Sequence, residues 1–161
     1  MKKLIASLLL IGLAASTSLA SLEDLFPEEL LDREGNPVER ESLEGKLIGI
    51  YFSASWCPPC RAFTPKLVDF RNENADDFQV VFVSADRSAD DQMKYMADYE
   101  MEFLTLEHGS PYAQMLTRKF SVRGIPHLAI IDSEGNIVRD NARGEVAQNA
   151  ERALSDWKAS L

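Results

Sequence analysis

The sequence predicts a mixed α/β sandwich, a central sheet flanked by helices, and three observations carry that reading. Two apolar runs, Lys46 to Ser53 and Gln79 to Ser84, lack the alternation of a half-exposed strand and have the pattern of strands buried on both faces. A segment with apolar residues near helical spacing follows each run, which is the strand–helix–strand order of a parallel sheet. Leu128 to Ile131 and Ile137 to Arg139 then bracket a Gly-containing loop as an antiparallel hairpin, ahead of a closing amphipathic segment.

A length of 161 residues suits one domain, and 45% hydrophobic with 27% charged residues suits a folded core rather than disorder. The formal charge of −9 disfavours nucleic acid or an anionic membrane surface as partner, because both require clustered Lys and Arg.

Residues 1–20 read as a secretory signal peptide. Met1-Lys2-Lys3 is a basic start, Leu4 to Leu13 an uncharged apolar run, and Ser18-Leu19-Ala20 the small-x-small pattern of a cleavage site. The run is shorter than the ~20 residues of a spanning helix, and no cysteine precedes Cys57 to carry a lipid. The expectation is an exported chain, periplasmic or extracellular, with its folded domain over residues 21–161.

Within that domain, Leu30 to Asp32 and Pro37 to Arg40 flank Arg33-Glu34-Gly35-Asn36, which reads as an N-terminal hairpin. The strand Lys46 to Ser53 leads into a helix from Pro58 to about Asn74, with Phe63, Leu67, Val68 and Phe70 inward and Pro65 kinking it. A second strand, Gln79 to Ser84, precedes a helix over Asp90 to Tyr99 with Met93, Met96 and Ala97 on its buried face. Pro111 to Phe120 forms another helix, capped by Ser110. The last helix, Val146 to Ser160, places Val146, Ala150, Leu154 and Trp157 against the sheet.

Chemistry concentrates at Trp56-Cys57-Pro58-Pro59-Cys60. Export would let a disulfide persist, yet closing so short a loop stabilises by roughly 2 kcal/mol, against about 4.7 for a hundred-residue loop. Reactivity explains the pair better than stability does. At the first turn of a helix, Cys57 faces unpaired N–H groups and the positive end of the dipole, both of which favour thiolate, so Cys57 is the candidate nucleophile. Cys60, one turn further in, is more shielded yet able to attack a mixed disulfide on Cys57, so it is the candidate resolving thiol. A C-x-x-C pair also serves half of many zinc sites. Here the available imidazoles, His108 and His127, have eighteen residues between them where a zinc finger has three to five, and no metal is expected. His108 reads as a solvated loop residue, Arg61 as surface charge, and Asp86, Asp90 and Asp91 as a solvated helix start.

Three motifs taken together carry a resemblance: Tyr51-Phe52-Ser53-Ala54-Ser55-Trp56-Cys57-Pro58-Pro59-Cys60-Arg61-Ala62-Phe63-Thr64-Pro65, Val80-Val81-Phe82-Val83-Ser84 with Ala85-Asp86, and Phe120-Ser121-Val122-Arg123-Gly124-Ile125-Pro126. In that order the chain resembles the thioredoxin superfamily, and more closely its tryparedoxin and nucleoredoxin branch. The resemblance implies a thioredoxin-like three-layer sandwich and a thiol–disulfide oxidoreductase in which Cys57 attacks and Cys60 resolves. It also implies that Pro126 is cis and faces the cysteines, and that Trp56, partly exposed, contacts substrate together with Pro58, Pro59, Ile125 and Pro126. The superfamily's buried Asp six residues before the first cysteine is Tyr51 here, a residue that fits the tryparedoxin-like branch but leaves the proton acceptor for Cys60 open.

Pro126 has a separate argument, since a proline before the apolar run Leu128 to Ile131 belongs at a strand's entry or edge. In the cis geometry the backbone of Ile125 would pair with an extended substrate segment. His127 would then lie near the sulfurs, either as a cation favouring the Cys57 thiolate or as an ordinary solvated side chain. The expected function is an exported, monomeric reductase of protein disulfides, supplied by a membrane thiol electron donor. It needs no metal, flavin or nucleotide cofactor, because the two sulfurs carry the electrons. A disulfide-forming oxidant and a redox-inactive binding module on the same scaffold remain open. A peroxidase is disfavoured, since no Thr and Arg constellation can be placed around Cys57.

Overall fold

A computed structural model of the chain describes residues 21–161, so the signal-peptide reading of residues 1–20 lies outside the described residues. The elements are α1 (Leu22–Leu25), β1 (Glu29–Leu31), β2 (Pro37–Glu39), a 3₁₀ turn at Arg40–Leu43, β3 (Leu47–Ser53), α2 (Pro58–Glu73), β4 (Phe78–Ser84), α3 (Ala89–Asp98), β5 (Leu104–Thr105), α4 (Pro111–Lys119), β6 (His127–Ile131), β7 (Ile137–Arg139) and α5 (Arg143–Lys158). One seven-stranded sheet runs in the order β2-β1-β5-β4-β3-β6-β7. Strands β3, β4 and β5 are parallel, and the hairpins at both ends pair antiparallel.

Both hairpin turns are built alike, from Asp32-Arg33-Glu34-Gly35-Asn36 and Asp132-Ser133-Glu134-Gly135-Asn136. The first Asp of each accepts the backbone N–H two and four residues on, at 2.9 and 2.8 Å in both turns. Gly35 and Gly135 take φ of +82° and +88°, a left-handed conformation that costs a residue with a Cβ. Strand β1 joins the sheet through Leu31 opposite Thr105, so the hairpin extension is continuous with the central sheet.

All seven residues of β3 are buried, because helices cover both of its faces. On one face, Leu47 and Tyr51 join residues of β4, α2, α3 and α5, among them Phe63, Leu67, Tyr95 and Trp157. On the other, Ile48, Ile50 and Phe52 meet α1, β1 and α4 through Leu25, Leu30 and Leu116. Gly49, on the first face, makes room for Phe78: a Cβ there would come 2.8 Å from Phe78 Cζ. Phe78 in turn packs on Phe70 at 5.2 Å and on Trp157 at 5.7 Å between ring centroids, which docks α2 and α5 on the sheet. The Trp157 indole N–H, buried with its ring, donates to Glu145 Oε2 at 2.8 Å.

Two expectations change, and one strand appears that no sequence pattern announces. Helix α3 turns Gln92, Tyr95 and Met96 inward, whereas Ala97 is exposed and Met93 only half-buried. The reason is polar: Gln92 Nε2 donates to Thr105 Oγ1 and to the Leu106 carbonyl, and the Tyr95 hydroxyl bonds Thr64 Oγ1, so hydrogen bonds rather than hydrophobicity set the helix's rotation. Strand β5 has only two residues, too few for a periodic signal. The last helix starts earlier, at Arg143, with non-helical angles at Asn149, and buries Val146, Ala153 and Trp157 most fully.

Candidate active site

The site lies where β3 ends, α2 begins and β6 starts. Cys57 is the N-cap of α2, with Pro58 and Pro59 in the first turn. Neither proline has an N–H, so the first free helical donor is that of Cys60, which points at Cys57 Sγ from 3.3 Å. The sequence thereby aims one backbone dipole at one sulfur. The two cysteines are joined as a disulfide. Cys57 is 4% exposed and Cys60 fully buried, so of the two only Cys57 offers any surface to a partner.

Across the sulfurs lies the loop before β6. The Ile125–Pro126 peptide is cis, as the resemblance implies. The Ile125 carbonyl oxygen is 3.7 Å from Cys57 Sγ, and Ile125 packs against Ala54, Cys57 and Cys60. Pro126 is buried, so on this side Ile125 rather than the proline ring is the accessible residue. Pro58, Pro59 and Trp56 are exposed, Trp56 by 47%. These residues surround the disulfide with an apolar rim.

Beneath the pair, the hydroxyls of Tyr51, Thr64, Tyr95 and Ser53 form a buried chain. Tyr51 to Thr64 is 2.8 Å, Thr64 to Tyr95 2.6 Å and Ser53 to Tyr95 3.2 Å. The Thr64 hydroxyl also reaches the Cys60 carbonyl at 2.9 Å, which ties the chain to the second cysteine's backbone. Burial pushes the phenols of Tyr51 and Tyr95 above their ordinary range, so Tyr51 stays protonated and does not replace the missing carboxylate as a base.

His127 fits neither alternative raised for it. It is half-buried edge-on to Phe52, with ring centroids 5.7 Å apart, and its Nε2 has no hydrogen-bond partner among the described residues. Burial pushes its pKa below the ordinary value, and the backbone and charge of Asp140 offset this only in part, so the ring is neutral at neutral pH.

Asp86 and His108 are also corrected. Asp86 is 6% exposed, and its carboxylate accepts the Ser55 N–H, the Ser55 hydroxyl and the Ser84 hydroxyl, each at 2.7 Å. His108 Nε2 lies 2.8 Å from the Asp86 carbonyl oxygen, so this imidazole ties two loops together. Arg61, exposed as expected, donates to the Ser55 carbonyl at 2.9 Å. By sequence Asp86 groups with Asp90 and Asp91, because an acidic run before a helix is ordinarily solvated. The signal for its different role was Ser84, two residues earlier, together with Ser55.

A thioredoxin-like family model matches residues 45–137, which contain the cysteines, the hydroxyl chain and the cis-proline loop. The chain belongs to the thioredoxin-like family. Nucleoredoxin of Mus musculus is 36% identical over 132 residues, covering 80% of this chain and 30% of that protein. The chain thus spans less than a third of the length of this curated relative. Among solved structures, tryparedoxin II from C. fasciculata superposes with a TM-score of 0.76 at 38% identity, covering 84% of this chain and 91% of that one. Tryparedoxin II complexed with glutathionylspermidine superposes at 0.72 and 37%, covering 79% and 90%. The tryparedoxin and nucleoredoxin branch of the thioredoxin-like family is therefore the right neighbourhood for this chain.

Proposed function

We propose that this thioredoxin-like chain is an exported reductase of protein disulfides, with Cys57 as nucleophile and Cys60 as resolving thiol. The observation that carries the reading is the seat of Cys57, at the N-cap of α2 with the Cys60 N–H on its sulfur and the Ile125 carbonyl alongside. Backbone dipole favours the thiolate there, and the loop before β6 offers main chain to an extended substrate. The Cys57 thiolate attacks one sulfur of the substrate disulfide and expels the other as thiolate. Cys60 then attacks Cys57 Sγ, closing the Cys57–Cys60 bond and releasing the second substrate sulfur. The proton lost by Cys60 goes to the released substrate thiolates, and two electrons pass from the pair to the substrate.

Trp56, Pro58, Pro59 and Ile125 form the apolar rim that receives the substrate, with Pro126 setting the course of the Ile125 backbone. The chain acts as a monomer, and a membrane thiol donor returns the pair to the dithiol. Export rests on the basic start, apolar run and small-residue pattern of residues 1–20.

Insulin reduction with dithiothreitol as donor tests the chemistry: wild type should accelerate it and Cys57→Ser should abolish it. Cys60→Ser expressed with residues 1–20 intact should accumulate discrete mixed-disulfide adducts that vanish on reduction, and the double Ser variant should show none. Because tryparedoxin II is known in complex with glutathionylspermidine, glutathione disulfide serves as the small-substrate arm; faster turnover of it than of insulin would reject the protein-disulfide assignment. A predominantly oxidised pair trapped from cells, with no adducts in Cys60→Ser, would promote the oxidant or the binding module instead.

A further inference from the structure

The segment Ser53 to Cys57 is bonded at every residue. The Ser53 carbonyl accepts the Ala85 N–H at 2.9 Å and the Ala54 carbonyl accepts the Cys57 N–H at 3.2 Å. Ser55 gives both its N–H and its hydroxyl to Asp86 Oδ1, while its carbonyl takes the Arg61 guanidinium. The Trp56 indole N–H donates to the Ala85 carbonyl at 3.0 Å, on the residue next to Asp86. Asp86 is held in its turn: the Ser84 hydroxyl donates to Oδ2 and accepts the Asp86 N–H at 3.0 Å, and His108 meets its carbonyl.

No cation pairs with the Asp86 carboxylate among the described residues. Three neutral donors alone compensate its burial. A buried carboxylate is costly unless hydrogen-bonded, and charge-assisted bonds are about twice as strong as neutral ones. The same energetics that make Asp86 expensive make its grip on Ser55 firm. We propose that Asp86 is a positioning residue for the redox pair, holding Ser55 so that Trp56 and Cys57 keep their places at the start of α2. This extends the reading of Cys57 as nucleophile, since a nucleophile displaced by an ångström loses rate steeply.

The test uses Asp86→Ala, Asp86→Asn and Ser55→Gly in the full chain. The chain has two tryptophans, and Trp157 is fully buried, so acrylamide quenching reports Trp56. Asp86→Ala, shown folded by far-UV circular dichroism, should make Trp56 more quenchable and lower kcat/KM for insulin reduction by on the order of tenfold. Asp86→Asn keeps an acceptor oxygen for Ser55 but only the weaker neutral bonds, and should place both quantities between Asp86→Ala and wild type, a partial rescue that general loss of stability does not produce. Wild-type quenching and kcat/KM in folded Asp86→Ala would overturn the proposal. If Asp86→Ala does not fold, Ser55→Gly decides: it removes the hydroxyl bond and loosens the backbone, and unchanged values there overturn the proposal equally. Quenching needs no turnover, so wild-type protein inactive on insulin would reject the assigned function and leave the Trp56 result to judge Asp86.

Discussion

At Cys57 a single backbone N–H, that of Cys60, faces the sulfur, because Pro58 and Pro59 have removed the two before it. In the reduced protein, iodoacetamide should therefore modify Cys57 with an apparent pKa below the ~8.5 of a free cysteine. Cys60, fully buried, should react far more slowly. Equal alkylation rates for the two thiols would reject the assignment of roles. His127 supplies a second prediction at this scale. Its folded pKa is depressed by burial, so its contribution to stability is complete above the unfolded value of about 6.5 and is lost as the pH falls through the lower folded value. His127→Gln should flatten that acidic limb in urea-unfolding midpoints measured from pH 8 to pH 5. An identical limb in the variant would assign the loss to other groups.

Among the elements, β3 determines where everything else sits, and Gly49 is its tightest point. A methyl added there meets Phe78 Cζ at 2.8 Å and Leu128 Cδ1 at 3.1 Å, both on strands paired with β3. Gly49→Ala should destabilise by about 1–3 kcal/mol through overpacking, measured by denaturant unfolding. Phe78→Leu in the same chain should recover part of the loss, because it shortens the side chain in the way. Additive losses in the double variant would show that Phe78 is not the neighbour that resists. Helix α3 teaches the complementary lesson: apolar spacing nominates Met93, Met96 and Ala97, and of these only Met96 is fully buried, joined by Gln92 and Tyr95, which partners on β5 and α2 draw inward.

For the molecule as a whole, the Cys57–Cys60 bond is a minor contributor to stability, since the loop that it closes is short. Reduction should lower stability by roughly 2 kcal/mol and leave one cooperative thermal transition, a few degrees lower, with and without dithiothreitol. Loss of that transition on reduction would mean that the pair is a staple after all. The core explains the expectation: two apolar layers, one on each face of the sheet, hold the domain together independently of the sulfurs.

The strands and helices that frame the site were legible because each carries a local rule: unbroken apolar runs for β3 and β4, Pro and Ser at the starts of α2 and α4, Asp and Gly in the twin hairpin turns. The cysteine pair was legible for the same reason, since helix position alone distinguishes Cys57 from Cys60. Sequence by itself thus determined the fold class, the nucleophile candidate and, through resemblance, the cis bond at Pro126. Only the tertiary structure decided that Asp86 is buried on Ser55, that His108 joins two loops, that His127 is neutral, and that Tyr51 enters a hydroxyl chain. Each of these depends on groups brought together from distant parts of the chain, where burial and partner choice outweigh the preferences that a residue shows among its neighbours in sequence.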